Sequence, residues 1–304
     1  MARGPSRRIA TVLIFLAVTG CTTGAARPAT TSTAHAPTST STASTTSTTS
    51  TTTTIVAPAT TASSPPGSTT LPLEIDAETR VPEGEGPFPA VVLVHGGGWV
   101  AGTPSVMDPL ARHLTENGFL TVNTRYRLSS LDVPGFPHAV DDVACAVRFA
   151  AAHPDSDGTV AVIGHSAGAH IGAIVALDGE EYGGVCPVTG PGVPNDFIGL
   201  AGPYDVERIG LPMLVFFGAG PDLDPEAWAA GNPQGLTDEN TDLDSLIMYG
   251  ELDGIVDDSF AFNFHEALLE SGSTSLLEEV EGARHNDMHD PALVGDLIVT
   301  WLER

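Results

Sequence analysis

Lysine is absent from this 304-residue chain; its 12 basic residues are all arginine, against 38 acidic ones, for a formal net charge of −26. Without lysine there is no G-x-x-x-x-G-K loop to cradle a nucleotide phosphate. The excess of negative charge excludes nucleic acid as a partner and excludes direct docking of the surface onto anionic lipid heads. Cysteine is nearly missing too: Cys21, Cys145 and Cys186 are the only three, with no C-x-x-C and no zinc spacing. Residues 22–70 contain no aromatic residue, no asparagine and almost no charge. Such a segment cannot bury enough apolar surface to offset the entropy of ordering, and it offers no N-glycosylation acceptor. No repeat of fixed period appears beyond this low complexity.

What is present begins at the N-terminus. Met-Ala-Arg-Gly-Pro-Ser-Arg-Arg is basic, Ile9 to Val18 is apolar, and Val18-Thr19-Gly20-Cys21 follows. This is the pattern of a secretion signal, too short to span a bilayer as a mature helix. The cysteine directly after a small residue resembles a bacterial lipobox, which implies lipidation at Cys21. The alternative is an ordinary signal with an incidental cysteine. Buried acyl carbons contribute roughly 0.8 kcal/mol per CH₂, so a multiply acylated Cys21 would hold the protein at a membrane by its lipid alone. The chain therefore divides into a signal (1–20), a Ser/Thr/Pro-rich flexible stalk (21–70), open to O-glycosylation, and a folded domain (71–304). It is expected outside the cytoplasm, anchored to the outer face of the cell membrane or secreted. Cys145 and Cys186 then read as a disulfide, against the alternative of two separate buried thiols.

The folded part, about 230 residues, suits one domain with a sizeable core. Strand-like runs at Ala90–Val94, Phe119–Asn123, Thr159–Ile163, Phe197–Ala201, Leu246–Tyr249 and Ser275–Val280 alternate with helical patterns at Met107–Glu116, His138–Ala152, Ala167–Leu177, Ser259–Ser271 and Pro291–Leu302. Alternation of this kind predicts an α/β domain, a mostly parallel sheet with helices on both faces. Sites in such sheets form beyond the carboxyl ends of the strands. The segment 205–244, rich in Gly, Pro and Asp, forms either a small lid or a substrate-facing loop.

Gly164-His165-Ser166-Ala167-Gly168 stands where a strand hands over to a helix. A serine hydroxyl is a poor nucleophile unless it is exposed and held near a base, and a sharp strand-to-helix turn flanked by glycines provides that exposure. Ser166 is thus the candidate nucleophile. Among ten histidines, His285 lies just after the last strand-like run and is the candidate base, with His289 its competitor. Asp253, after the preceding apolar run, is the candidate orienting acid, with Glu251, Asp257 and Asp258 as neighbours. Upstream, His95-Gly96-Gly97-Gly98-Trp99 lets bare backbone N–H groups converge, so Gly97, Gly98 and Ala167 are the candidate oxyanion donors. Trp99, His165 and His170 are expected to line the substrate pocket. His285 to Asp290 also holds four potential metal ligands, but no matching pair elsewhere has metal spacing, so neither metal nor cofactor is expected.

With HGGGW, GHSAG, a late Asp and a late His in this order, the chain resembles the α/β-hydrolase superfamily. It is most similar to the HGGG-type carboxylesterases and lipases, the hormone-sensitive-lipase-like group. Arg125-Tyr126-Arg127-Leu128, Phe136-Pro137 and Asp141-Asp142-Val143 are also similar to that group, while GHSAGAH resembles kynurenine-formamidase-like members. The resemblance covers residues 73–304. It implies a serine hydrolase acting on a small-molecule ester through a Ser166–Asp253–His285 triad. Few residues precede the HGGGW strand, which implies reduced N-terminal strands, a small or absent lid, and an open site for small or short-chain esters. The alternatives are an arylformamidase-type amide hydrolase and a silent surface-displayed binding module on the same scaffold.

Overall fold

The computed structural model describes residues 76–304. The signal, the lipidation candidate Cys21 and the stalk lie outside the described residues. Seven strands form one sheet in the order β1-β3-β2-β4-β5-β6-β7. These are β1 (Ala77–Arg80), β2 (Phe88–Val94), β3 (Leu120–Thr124), β4 (Ser156–His165), β5 (Asp196–Leu200), β6 (Asp244–Gly250) and β7 (Thr274–Val280). Among the described residues only β1 runs antiparallel, pairing Ala77–Arg80 with Thr124–Thr121 at one edge. The other pairings are parallel, with Val94 beside Gly164 and His165 beside Leu200 at the carboxyl ends.

The apolar run of β2 explains the layering. Val91 and Leu93 pack on one face with helices α1 (Asp108–Glu116) and α8 (Pro291–Leu302), through Leu110, Leu114, Val294 and Ile298. Val92 and Val94 pack on the other with α2 (His138–Ala152), α3 (Ala167–Asp178) and α7 (Ser259–Ser271), through Val140, Ile171, Ile174 and Phe264. A strand buried on both faces reads as a continuous apolar stretch, and β2 is one. Helix α3 is buried from Ala167 to Leu177, apolar all round as a central helix must be. Asp290 caps α8 by accepting the N–H of Ala292 at 2.9 Å, with Pro291 at the first helical position.

Segment 205–244 contains three short helices, α4 (Val206–Ile209), α5 (Leu211–Phe217) and α6 (Pro225–Ala230). Met213, Phe216, Phe217 and Trp228 are buried against the core, so the segment is an integral wall. Its other side, through Arg208, Ile209 and Pro212, faces a cavity at the carboxyl ends of the strands. Cys145 on α2 is bonded to Cys186 in the loop before β5, with Cα atoms 5.5 Å apart across 41 residues of sequence.

Candidate active site

The turn after β4 carries one of three non-glycine residues with positive φ among the described residues. Ser166 sits at φ 54°, ψ −121°, in the left-handed half of conformational space that a non-glycine residue occupies at a cost of about 1–3 kcal/mol. Its own N–H donates to Leu200 O at 2.9 Å, and its carbonyl accepts the N–H of Ala169 at 2.9 Å, starting α3. The flanking glycines are steric requirements. A Cβ on Gly168 would strike the Val94 carbonyl, and one on Gly164 would strike the Gly168 carbonyl. Glycine at 168 therefore lets the start of α3 pass close to the end of β2, and glycine at 164 lets the strand end beneath that first helical turn.

His285 opens a short 3₁₀ turn (His285–Asp287) beyond β7. Its Nε2 lies 2.9 Å from Ser166 Oγ and its Nδ1 2.8 Å from Asp253 Oδ2. Asp253 follows β6, and its second oxygen accepts the N–H groups of Ile255 at 2.8 Å and Val256 at 3.0 Å. An ionised carboxylate only accepts, so Nδ1 carries the imidazole proton and Nε2 presents a lone pair to the serine. The two side chains are 8% and 4% exposed, which shields the pair from water. The neighbouring acids have other work: Glu251 accepts the N–H of Gly282 at 2.8 Å, and Asp257 accepts that of Ser259 at 3.1 Å.

His165, inside the serine motif, supports His285 from behind. It donates Nε2–H to the backbone carbonyl of His285 at 2.8 Å, and its ring lies 5.0 Å from that of His285. Burial pushes its pKa down to about 3, so it stays neutral and keeps this tautomer. His289 packs edge-on against His165 at 4.9 Å, on the cavity wall.

The glycine loop after β2 faces the serine. Gly97 (φ 130°) and Gly98 (φ 60°) take conformations open to glycine, and a Cβ on Gly97 would strike the Ala101 carbonyl. Trp99 follows at φ 65°, a rare setting for a bulky residue. The N–H groups of Gly97, Gly98 and Ala167 have no acceptor among the described residues. His95 anchors the loop by stacking on Tyr126 at 4.5 Å, while Tyr126 donates its hydroxyl to His95 O at 3.1 Å.

Gly97, Gly98, Trp99, His165, Ser166 and His285 share one cavity of about 600 Å³. His170 does not reach it, which corrects the expectation that it lines the pocket. It is fully buried one turn behind the serine, accepting Trp99 Nε1–H on Nδ1 at 3.2 Å and donating Nε2–H to Gly231 O at 3.0 Å. On a helix enclosed all round, the fourth residue after the serine points into the protein.

The sheet, the crossovers and the serine turn define the class: this is an α/β-hydrolase fold. Residues 79–268 match the BD-FAE family, and the chain belongs to that family. It is 37% identical over 102 residues to the carboxylesterase NlhH of Mycobacterium tuberculosis, 32% of this chain and 31% of that one. It is 37% identical over 125 residues to the carboxylic ester hydrolase LipN of the same organism, 38% of this chain and 33% of that one. The matched stretch thus spans about a third of the length of these relatives. A longer match, 26% over 227 residues, is to the M. tuberculosis esterase LipC, 69% of this chain and 56% of that one. Among solved structures, a carbohydrate esterase from gut microbiota superposes with TM-score 0.63 at 19% identity, over 74% of this chain and 89% of that one. A thermophilic esterase from Thermogutta terrifontis superposes with TM-score 0.58 at 20% identity, over 75% and 86%.

Proposed function

We propose that this chain is a serine carboxylesterase hydrolysing small or short-chain carboxylic esters through an acyl-enzyme on Ser166. One observation carries the proposal: a single buried imidazole lies 2.9 Å from a serine hydroxyl on a strained turn and 2.8 Å from a carboxylate. The names of NlhH, LipN and the esterase LipI, 33% identical over 147 residues, support the same chemistry.

In this account His285 Nε2 takes the Ser166 proton as Oγ attacks the ester carbonyl. Asp253 stays ionised and stabilises the imidazolium. The N–H groups of Gly97, Gly98 and Ala167 receive the oxyanion, each donor lowering the barrier by roughly 2.7–4 kcal/mol. The alcohol leaves with the proton from His285. Water, giving a proton to the same nitrogen, then attacks the acyl carbon; the tetrahedral intermediate expels Ser166 Oγ, which takes that proton back from His285, and the acid is freed. The apolar side of the cavity, including Val106, Ile209, Ile255 and Phe260, suits a short acyl or aryl group.

Ser166→Ala should abolish turnover of p-nitrophenyl acetate and butyrate with an unchanged circular dichroism spectrum; retained turnover would sink the assignment. A formanilide assayed in parallel separates an esterase from an amide hydrolase. We further propose that Cys21 carries the lipid anchor of an extracytoplasmic protein. The Cys145–Cys186 bond supports an oxidising compartment. The mass of the mature N-terminus tests the anchor.

A further inference from the structure

Carboxylates crowd this chain, with 38 acidic residues, yet none lines the cavity that holds Ser166 and His285. One arginine does, Arg208 on α4. Its partners differ from those of six other described arginines, while Arg284, which does not line the cavity, has no carboxylate within 4.0 Å. Arg80, Arg112, Arg125, Arg127, Arg148 and Arg304 each have a carboxylate oxygen at 3.5 Å or less. The nearest carboxylate to Arg208 belongs to Asp257, at 4.0 Å, beyond hydrogen-bonding range. That same Asp257 oxygen is already occupied by the backbone N–H and hydroxyl of Ser259.

The guanidinium is nevertheless held in place. Its Nη2 donates to Ser259 Oγ at 2.6 Å, and its carbon lies 4.1 Å above the ring of Phe260, itself part of the cavity wall. Stacking on an aromatic face fixes a planar cation without neutralising it. Nε and Nη1 have no hydrogen-bond partner among the described residues. In a surface this rich in acid, a braced arginine with open donors beside an acid-free, largely apolar cavity is set up to receive an anion from outside the protein.

We propose that Arg208 forms an anion subsite of the catalytic cavity and that the favoured substrates are esters bearing a carboxylate. This rests on the esterase assignment for its catalytic part, though not for its binding part. The carboxylate would accept hydrogen bonds from the open face of the guanidinium while the ester carbonyl sits at Ser166. It could stand on either side of the scissile bond, and the two placements are separable by experiment.

Two matched pairs make the test: mono-p-nitrophenyl glutarate against p-nitrophenyl pentanoate for the acyl side, and 4-acetoxybenzoate against its methyl ester for the alcohol side. In the wild type, kcat/KM for the charged member, relative to its neutral partner, should exceed the same ratio in Arg208→Gln by about tenfold in at least one pair. Arg208→Lys should restore part of it, and raising the salt concentration should shrink it. Calorimetric binding of the same pairs to Ser166→Ala, with and without Arg208→Gln, reads the subsite even if nothing is turned over. Absence of turnover of every ester defeats the esterase assignment alone. Charged-to-neutral ratios that Arg208→Gln leaves unchanged in both pairs, in binding as in turnover, defeat the subsite.

Discussion

The indole N–H of Trp99 donates to Nδ1 of His170 at 3.2 Å, joining the last residue of the glycine loop to the helix that follows Ser166. His170 is pinned in turn by Gly231 O at 3.0 Å, and Phe216 packs against both rings, at 5.9 Å from Trp99 and 5.4 Å from His170. Trp99 holds a left-handed φ of 65°, and a backbone in that setting persists only when its surroundings fix it. The strap therefore sets where Gly97 and Gly98 stand relative to the serine. His170→Leu should lower kcat for p-nitrophenyl acetate by about tenfold with KM little changed, since the donors act on the transition state. His170→Gln can accept from the indole and donate to Gly231 O, and should recover most of that loss. Equal kcat in the leucine variant would show that the loop holds itself.

Acid should expose the same residue through stability. Burial pushes the His170 pKa down to about 4, from an unfolded value of 6.5. Below pH 6.5 the unfolded chain takes up a proton that the folded one refuses, so stability is full above that pH and falls toward pH 4. At pH 5 this amounts to about 2 kcal/mol for His170 alone. Urea unfolding at pH 7 and pH 5 should show a smaller acid loss in His170→Gln than in the wild type by about that amount. Identical losses would place the acid sensitivity elsewhere.

The helices were the most legible part of the sequence. His138–Ala152, Ser259–Ser271 and Pro291–Leu302 are read to the residue, because apolar spacing is reinforced by Pro137, by Gly272 at a left-handed φ of 101°, and by the Asp290-Pro291 cap. The strands β2 to β6 are legible from their buried apolar runs, and β7, half-exposed, from its place between two helical patterns. β1 is not, since Ala-Glu-Thr-Arg at a sheet edge has neither an apolar run nor alternation. Helices α4, α5 and α6 are too short to show a period, and their burial is decided by packing against distant residues. Ser166, Asp253 and His285 stand out in the sequence because each follows a strand, and in the structure they lie within hydrogen-bonding distance of one another in series. The direction of His170 is not legible there, because a helix apolar on every side gives no clue to which neighbour a polar residue meets. The pairing of Cys145 with Cys186 was also open, as 41 residues of separation say nothing about distance in space.

Gly97→Ala probes the oxyanion loop more severely. A Cβ there meets the Ala101 carbonyl and a φ of 130°, so the loop has to move. Turnover should fall by about a hundredfold or more, the scale of one lost oxyanion donor, while the serine stays able to react with a strong phosphonylating reagent. Near-normal turnover would exclude Gly97 from the donor set.

Removing the cross-link addresses the scaffold rather than the site. Closing a loop of 41 residues restricts the unfolded chain by about 4 kcal/mol on the chain-entropy model. The Cys145→Ser/Cys186→Ser variant should unfold at clearly lower denaturant concentration with little change in kcat. Matching midpoints would mean that the bond constrains little.

Nucleophilicity of Ser166 is read most directly by covalent labelling with a fluorophosphonate followed by peptide mass mapping. One adduct is expected on the wild-type protein, located on Ser166, with no adduct on Ser166→Ala and labelling slowed by orders of magnitude in His285→Ala. An unlabelled wild type, or an adduct on any other residue, would contradict Ser166 as the nucleophile.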